Sequence, residues 1–191
     1  LEISKFTGSK EILDGRIKTL HPKIHSGILS IRNKKSHKND LKKNNYEEID
    51  LVVVNFYPFE NILKSTNNHK KIIENIDVGG PTMVRAAAKN YNDVAVITNY
   101  NQYKELSNEL NLNKSCTTLD FRKRMSIAAF SETAYYDAII SNYFNSQSNV
   151  LFPKKKIFYG NLIENLRYGE NPHQNAAVYS INKKLNLNQL H

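Results

Sequence analysis

The stretch "DLVVVNFYPF", Asp50 to Phe59, carries the strongest indication of the fold. It contains a continuous run of β-branched and apolar residues, which is typical of a strand buried on both faces in a parallel sheet. Pro58 ends the run, because proline cannot donate a hydrogen bond to a neighbouring strand. A second stretch of this kind, "DVAVITN", runs from Asp93 to Asn99. The two stretches together predict a parallel sheet.

Helical patterns separate and follow the two strands. This alternation predicts an α/β architecture, a parallel sheet flanked by helices. The longest helical pattern runs from Thr117 to about Asn145, and its apolar stripe indicates a core face. The stripe consists of Phe121, Met125, Ala128, Tyr135, Ile139 and Tyr143.

Beyond this helix the pattern changes to short β segments and turns. We therefore expect a domain boundary near Asn145 to Pro153, with a first domain over residues 1–148. Residues 149–191 are then the linker and the start of a second, mixed α+β domain. The chain begins with Leu1, and we interpret it as an internal fragment of a longer protein.

Composition excludes several classes of protein. Of the 191 residues, 40% are hydrophobic and 24% are charged, so a packed core is expected and global disorder is not. The single cysteine, Cys116, excludes an intramolecular disulfide and a cysteine-based zinc site, and suits a reducing compartment. No apolar run approaches the roughly 18 residues of a membrane span. We expect a soluble, cytoplasmic protein with no membrane partner.

The formal net charge of +9 has two possible explanations. A basic protein can bind nucleic acid or an anionic substrate. However, lysine and asparagine are abundant throughout, as in "RNKKSHKNDLKKNN" from Arg32 to Asn45, and such a run is most easily a solvated loop or helix face. We favour the solvated face and expect no nucleic-acid partner.

The stretch "ENIDVGGPTMVRAAAKN", Glu74 to Asn90, combines an acid, a double glycine and two cations. Glycines leave backbone amides uncovered, and a helix starting near Pro81 adds free N–H groups and the positive end of its dipole. Such a place can bind an anion or a developing oxyanion. Arg85 and Lys89 would share one face of the helix. Alternatively, the preceding Asp is only a helix cap and the cations are solvated.

The stretch "DGRIKTLHPKIHSG" gathers cations around a proline turn. Arg16 and Lys18, together with Thr19, would suit a phosphate. His21 and His25 lie four residues apart, but the intervening proline disfavours a helical two-histidine metal site. We therefore predict no metal site.

Two further stretches carry polar or aromatic groups in positions that favour binding. Tyr57, in "NFYPF", follows a predicted parallel strand, and ligands bind at the carboxyl ends of such strands; it can equally be a packing aromatic. In "LRYGENPHQ", Arg167, Tyr168 and His173 can face a ligand or belong to an ordinary surface turn.

Taken in order, "GRIKTLHPKIH", "DLVVVNFYPF", "ENIDVGGPTMVRAAAKN" and "LRYGENPHQ" resemble the bifunctional purine biosynthesis enzyme family. That family joins an IMP cyclohydrolase to a phosphoribosylaminoimidazolecarboxamide (AICAR) formyltransferase. Ser26 departs from the small Gly or Ala that is more usual there. The resemblance implies a methylglyoxal-synthase-like fold for the first domain, truncated at its amino terminus. It also implies the dehydrative ring closure of formyl-AICAR ribotide to IMP.

The resemblance also implies roles for particular residues. The catalytic positions correspond to Lys18, Tyr57, Asp77 and Lys89. The substrate-binding positions correspond to Arg16, Thr19, Val78 and Gly79 in the first site, and to Arg167, Tyr168 and His173 in the second. Asp77 would handle the carboxamide proton, and the other three catalytic groups would contact the formyl oxygen or supply its proton.

The same resemblance implies no bound cofactor, 10-formyltetrahydrofolate as the co-substrate of formyl transfer, and a homodimer. It implies that the fragment is incomplete for both activities. A rival interpretation is a non-catalytic basic module that binds a nucleotide or RNA. Methylglyoxal synthase itself is disfavoured, because "LRYGENPHQ" has no place in that enzyme.

Overall fold

A computed structural model describes residues 2–148, 152–167, 169, 171 and 173–180. The chain forms two compact units, Leu1–Asp137 and Ala138–His191. One helix runs from Leu119 to Gln147 and so continues through this division. The boundary expected near Asn145 to Pro153 therefore stays a prediction.

The described residues form α-helices, two short 3₁₀ helices and two pairs of strands. The α-helices are α1 (Ile3–Thr7), α2 (Pro22–Leu29), α3 (Lys35–Asn44), α4 (Phe59–Ser65), α5 (His69–Glu74), α6 (Gly79–Lys89), α7 (Tyr103–Leu112) and α8 (Leu119–Gln147). The 3₁₀ helices are Leu13–Gly15 and Tyr100–Gln102, and the strands are β1 (Leu51–Val53), β2 (Ala95–Ile97), β3 (Asn161–Leu166) and β4 (Ala176–Ser180). Within this part of the chain no helix combines the length and the apolar character that crossing a bilayer requires.

The parallel sheet predicted from the sequence is present. β1 and β2 pair in parallel, with Val52 opposite Val96. Every residue of β2 is buried, as expected. The burial expected for β1 on both faces is wrong, because Leu51 is 39% and Val53 is 45% exposed. The physical reason is that only one face of β1 packs on the core formed by the described residues.

The core of the first unit lies where α2, α6 and α8 pack with the two strands. Its members are apolar residues with little exposed surface, and burying them removes apolar area from water. They include Ile24, Ile28, Val52, Val84, Ala87, Val94, Val96, Ile97, Phe121, Met125 and Ala129. α3 buries only Leu41, which agrees with the interpretation of its lysines as a solvated face.

The apolar stripe of α8 differs from the prediction in its middle. Phe121, Met125 and Ile139 are buried as expected. Between them Ala129 and Tyr136 are buried, whereas the sequence pattern indicated the preceding residue in each case. Ala128, Tyr135 and Tyr143 are only partly buried. Adjacent positions of similar hydrophobicity cannot be separated by helical periodicity alone, since each residue turns the helix by about 100°. The difference matters, because it brings the Tyr136 ring to the interior.

The second unit contains the β and turn structure expected after α8. β3 and β4 are antiparallel, with Leu166 opposite Ala176 and an irregularity between Leu162 and Glu164. Most of β3 is exposed. Between the strands, the described residues Gly169, Asn171 and Gln174 are joined by turn hydrogen bonds, as expected for "LRYGENPHQ".

Candidate active site

Asp77 stands immediately before α6 and is fixed by two hydrogen bonds. Its carboxylate Oδ1 accepts from the Gly80 N–H at 2.8 Å, so the side chain satisfies one of the free amides of the first helical turn. Its own N–H donates to the Tyr136 hydroxyl at 2.8 Å. A Cβ on Gly80 would overlap the Asp77 carboxylate. The capping contact that the sequence left open as an alternative is therefore present, and a role of Asp77 in a binding or catalytic site stays a prediction.

Gly79 brings a second predicted site residue to this helix start. A Cβ at Gly79 would overlap the Thr19 hydroxyl oxygen, so the absence of a side chain lets Thr19 pack against the first turn of α6. Val78 is the N-cap residue of the helix. Its side chain makes no capping hydrogen bond, and the residue is 56% exposed. Thr19, Val78 and Gly79, all predicted to bind substrate, lie together at this end of the helix.

Arg16 reaches the same region from a tight turn. Gly15 has a φ of +84°, a conformation that favours glycine, and Arg16 follows it. The Arg16 guanidinium forms a two-pronged ion pair with Glu74, in which Nε donates to Oε1 at 3.1 Å and NH2 donates to Oε2. Hydrogen bonding to Glu74 raises the pKa of Arg16, and the same bond lowers the pKa of Glu74. Lys18 pairs more loosely with Glu11, at 3.7 Å.

Tyr57 lies four residues after β1 ends and is 57% exposed. It is close enough to Tyr136 to affect the ionisation of that residue. Burial raises the pKa of Tyr136, the bond from the Asp77 amide opposes the shift, and neighbouring charges raise it further. The Tyr136 hydroxyl accepts a hydrogen bond from Asp77, and Tyr136 also interacts with Tyr57. These interactions connect two of the predicted catalytic residues, Asp77 and Tyr57, through Tyr136.

The two histidines of the proline turn have structural roles. His21 caps α2, its Nδ1 accepting from the Lys23 N–H at 3.1 Å. Burial lowers the pKa of His25, and a hydrogen bond with the Thr19 backbone opposes that shift. His25 Nε2 is buried without a hydrogen-bond partner. Within the described part of the chain, no group of three or more His, Cys, Asp or Glu residues could hold a metal ion.

Lys89 lies far from Asp77 in this chain. It is the last residue of α6, whereas Asp77 precedes the first. An eleven-residue helix is about 16 Å long, far beyond the reach of a lysine side chain. Lys89 and Arg85 instead border a groove of about 490 Å³, together with Leu29, Ser126 and Phe130. Arg85 stands over the Phe130 ring, 5.8 Å from its centre.

Two of the predicted residues of the second site, Arg167 and His173, lie between β3 and β4. Arg167 and His173 are exposed, and Tyr168 lies outside the described residues. The turn is closed by Gln174, whose carbonyl accepts from the Gly169 N–H at 2.8 Å and whose N–H donates to Asn171 O at 3.0 Å. The chain thus presents Arg167 and His173 on a short, hydrogen-bonded turn.

Sequence reasoning missed two residues that contact the candidate site. Glu74 belongs to the motif, but no local pattern indicates that it pairs with Arg16, 58 residues away. Tyr136 was not distinguished from its neighbour Tyr135. Glu74 could have been found in the sequence as an acid three residues before Asp77. Tyr136 could have been found as one of two adjacent tyrosines.

The first unit is an α/β unit that combines an amide-rich helix start, a capping carboxylate and an adjacent cationic turn. This combination defines the class of protein to which the chain is compared. Residues 1–82 match the family model described as an MGS-like domain. Residues 87–191, more than half of the chain, match the family model described as AICARFT/IMPCHase bienzyme. The chain belongs to the AICARFT/IMPCHase bienzyme family. The resemblance and the fold class expected from the sequence are both confirmed.

Individual relatives agree with this assignment. The protein "Bifunctional purine biosynthesis protein PurH" of Bradyrhizobium diazoefficiens is 50% identical over 179 residues, which cover 94% of this chain and 34% of the relative. The protein of the same description from Rhizobium rhizogenes is 47% identical over 178 residues, covering 93% and 33%. The chain thus spans about a third of the length of these curated relatives. A solved structure titled "Crystal structure of ForH" superposes with a TM-score of 0.65 at 28% identity, over 74% of each chain.

Proposed function

We propose that the protein carrying this chain is an enzyme of purine biosynthesis and that the start of α6 is its IMP cyclohydrolase site. The observation that carries the proposal is Asp77, whose carboxylate accepts from the first turn of α6 and whose backbone N–H donates to Tyr136. The family membership and the two relatives described as bifunctional purine biosynthesis proteins support it.

Ring closure asks the protein to orient two groups and to stabilise one charge. The carboxamide nitrogen of formyl-AICAR ribotide attacks the formyl carbon, and the formyl oxygen gains negative charge before it leaves as water. The reaction is intramolecular, so positioning and electrostatic stabilisation contribute most of the rate. We assign removal of the carboxamide proton to the Asp77 carboxylate. Amides at Val78 and Gly79 would contact the base.

Lys18 and Tyr57 would hold or protonate the departing oxygen. Both are exposed and lie on segments that meet near the start of α6, Lys18 next to the Thr19 that packs on Gly79 and Tyr57 beside Tyr136. Arg16 would take the ribotide phosphate, because a guanidinium that already binds a carboxylate in two-pronged fashion can bind a phosphate in the same way.

Lys89 requires a different arrangement, since it lies a whole helix away from Asp77. We propose that Lys89 acts in the cyclohydrolase site of a second copy, in a homodimer. Variants with one defect each provide the test. Asp77→Asn and Lys89→Ala would each be inactive alone, and mixing the two unfolded chains and refolding them would restore activity in the mixed dimers. If the refolded mixtures stayed inactive, Lys89 would not act in the cyclohydrolase site of a second copy.

The second activity is assigned to the turn after β3. We propose that Arg167, Tyr168 and His173 contribute to AICAR binding for formyl transfer, with 10-formyltetrahydrofolate as the co-substrate. In the complete gene product, His173→Ala should weaken formyl transfer and spare IMP formation from supplied formyl-AICAR. Loss of both activities in a folded protein would contradict two separate sites.

A cytoplasmic location fits this function and the single cysteine.

A further inference from the structure

Tyr136 is an aromatic residue of α8 that is held rigidly beside the candidate site. Its side chain is buried, with 4% of its surface exposed. The ring packs against Phe56 at 5.2 Å and against Phe59 in an edge-on arrangement at 6.1 Å, both measured between ring centres. A ring that is fixed on two sides holds its hydroxyl at a defined place.

The Tyr136 hydroxyl oxygen is used as an acceptor for the N–H of Asp77 at 2.8 Å. This bond joins residues 59 positions apart in the sequence. The Asp77 carboxylate makes the other fixed contact, with the Gly80 N–H at 2.8 Å. The Gly80 bond sets the side chain relative to α6, and the Tyr136 bond sets the backbone relative to α8. Together they leave the carboxylate little freedom to move.

The surroundings keep the Tyr136 hydroxyl neutral at neutral pH. Burial is the largest cause of its raised pKa, and the charges of Asp77, Asp137 and Tyr57 add to it. A neutral hydroxyl that has accepted one bond keeps its proton available for donation.

We propose that Tyr136 is a positioning residue for ring closure: it fixes the backbone of Asp77 so that the carboxylate meets the carboxamide nitrogen. The inference rests on the proposed cyclohydrolase function. A misplaced general base loses rate without losing substrate binding, because the contacts to the nucleotide come from other residues. The role is therefore separable from a structural one by comparing kcat with KM.

The matched test uses two adjacent tyrosines in the complete gene product. Tyr136→Phe removes the hydroxyl and keeps the ring packing. Tyr135→Phe makes the same change one residue away, where the hydroxyl donates to Glu60 at 2.8 Å. For Tyr136→Phe we expect kcat for formyl-AICAR to fall about tenfold, the equivalent of one buried hydrogen bond, with KM nearly unchanged. For Tyr135→Phe we expect both constants to stay near the wild-type values.

Amide hydrogen exchange at Asp77 gives a second measurement that does not depend on activity. Tyr136→Phe should accelerate exchange of this amide, and Tyr135→Phe should not. If Tyr136→Phe failed to fold, 3-fluorotyrosine incorporated at position 136 would keep ring and hydroxyl while weakening the oxygen as an acceptor, and a smaller loss of kcat would be expected.

The outcomes distinguish this inference from the proposed function. An active wild type together with an unchanged kcat in Tyr136→Phe would overturn the positioning role alone. Equal losses of kcat in the two tyrosine variants would also overturn it. A folded wild type that does not close the ring would overturn the proposed function and this inference with it.

Discussion

The two ends of α6 hold their ionisable groups very differently. At the amino-terminal end Asp77 is bonded to Tyr136 and Gly80, and Thr19 packs closely on Gly79. At the carboxyl-terminal end the Lys89 side chain is exposed and borders an open groove with Leu29. Specific contacts thus fix the Asp77 carboxylate at one end. At the other end they fix Asn90, whose amide donates to Ile28 O and Ser30 O, and they leave Lys89 exposed.

This difference shows that residues of one short sequence motif can lie far apart in the structure. Asp77 and Lys89 belong to one short motif, yet the helix between them holds them about 16 Å apart. Fixed hydrogen bonds are what a general base requires, because a small misplacement costs much rate. The amino-terminal end is therefore the end at which chemistry is expected.

The largest effect is expected from Asp77→Asn in the complete gene product. Asparagine keeps an oxygen that can accept from Gly80 but cannot take a proton at neutral pH. We expect kcat for ring closure to fall about 100-fold or more, as for loss of a general base, while IMP binding changes little. Steady-state kinetics and a direct binding titration would measure the two quantities. Equal losses would indicate a ground-state or structural role.

A smaller effect is expected from Gly79→Ala, which tests the close packing at the same end. The new methyl group would overlap the Thr19 hydroxyl and push Thr19 away from α6. We expect IMP to bind about tenfold more weakly, the loss of one or two hydrogen bonds. The double variant Gly79→Ala with Thr19→Ala removes the overlap, so it should recover thermal stability without recovering binding. Normal IMP binding by Gly79→Ala would show that this contact is not part of the site.

A modest gain is expected from Glu74→Gln. The change releases Arg16 from its exposed ion pair, so inorganic phosphate should bind about twofold to fivefold more tightly at low salt. Glu105→Gln is the matched control, because Glu105 also pairs with an exposed arginine, Arg124, at 2.9 Å. The control should leave phosphate affinity unchanged. An equal gain in both variants would indicate nonspecific binding through net charge.

The smallest effect is expected from Glu132→Gln, a change on α8. Burial, and then the charge of Glu60, raises the pKa of Glu132 in the folded protein above its ordinary value. The folded state therefore favours the neutral form, and its stability falls as pH rises from about 4.5 through the raised pKa. Glutamine should raise Tm by roughly 1–2 °C at pH 7 and by nothing near pH 4. Thermal melts at the two pH values measure this effect. If the charge of Glu132 had no part in it, the difference in Tm between the variant and the wild type would be the same at both pH values.

Local patterns predicted much of the fold from the sequence. Helix propensity and the position of Pro81 predicted α6, and the apolar run predicted β2. The exposed face of β1 could not be predicted, because burial depends on elements that pack from elsewhere in the chain. The choice between Tyr135 and Tyr136 as the buried residue of α8 depended on such packing as well.

The members of the candidate site stay predictions, and the sequence indicated only part of their geometry. The double glycine indicated an anion-binding helix start, and the structure adds that Thr19 packs there. The separation of Lys89 from Asp77 follows from the rise of a helix. The Arg16–Glu74 pair and the Tyr136–Asp77 bond join residues 58 and 59 positions apart, and no local pattern encodes such pairings.

Hydrogen exchange with and without IMP tests most directly which end of α6 holds the nucleotide. Backbone amides that contact a ligand exchange more slowly when it is bound. In the complete gene product we expect saturating IMP to slow exchange at Val78, Gly79 and Gly80. Protection confined to the residues that border the groove, Arg85 to Lys89 and Phe130, with unchanged exchange at the start of α6, would contradict the account.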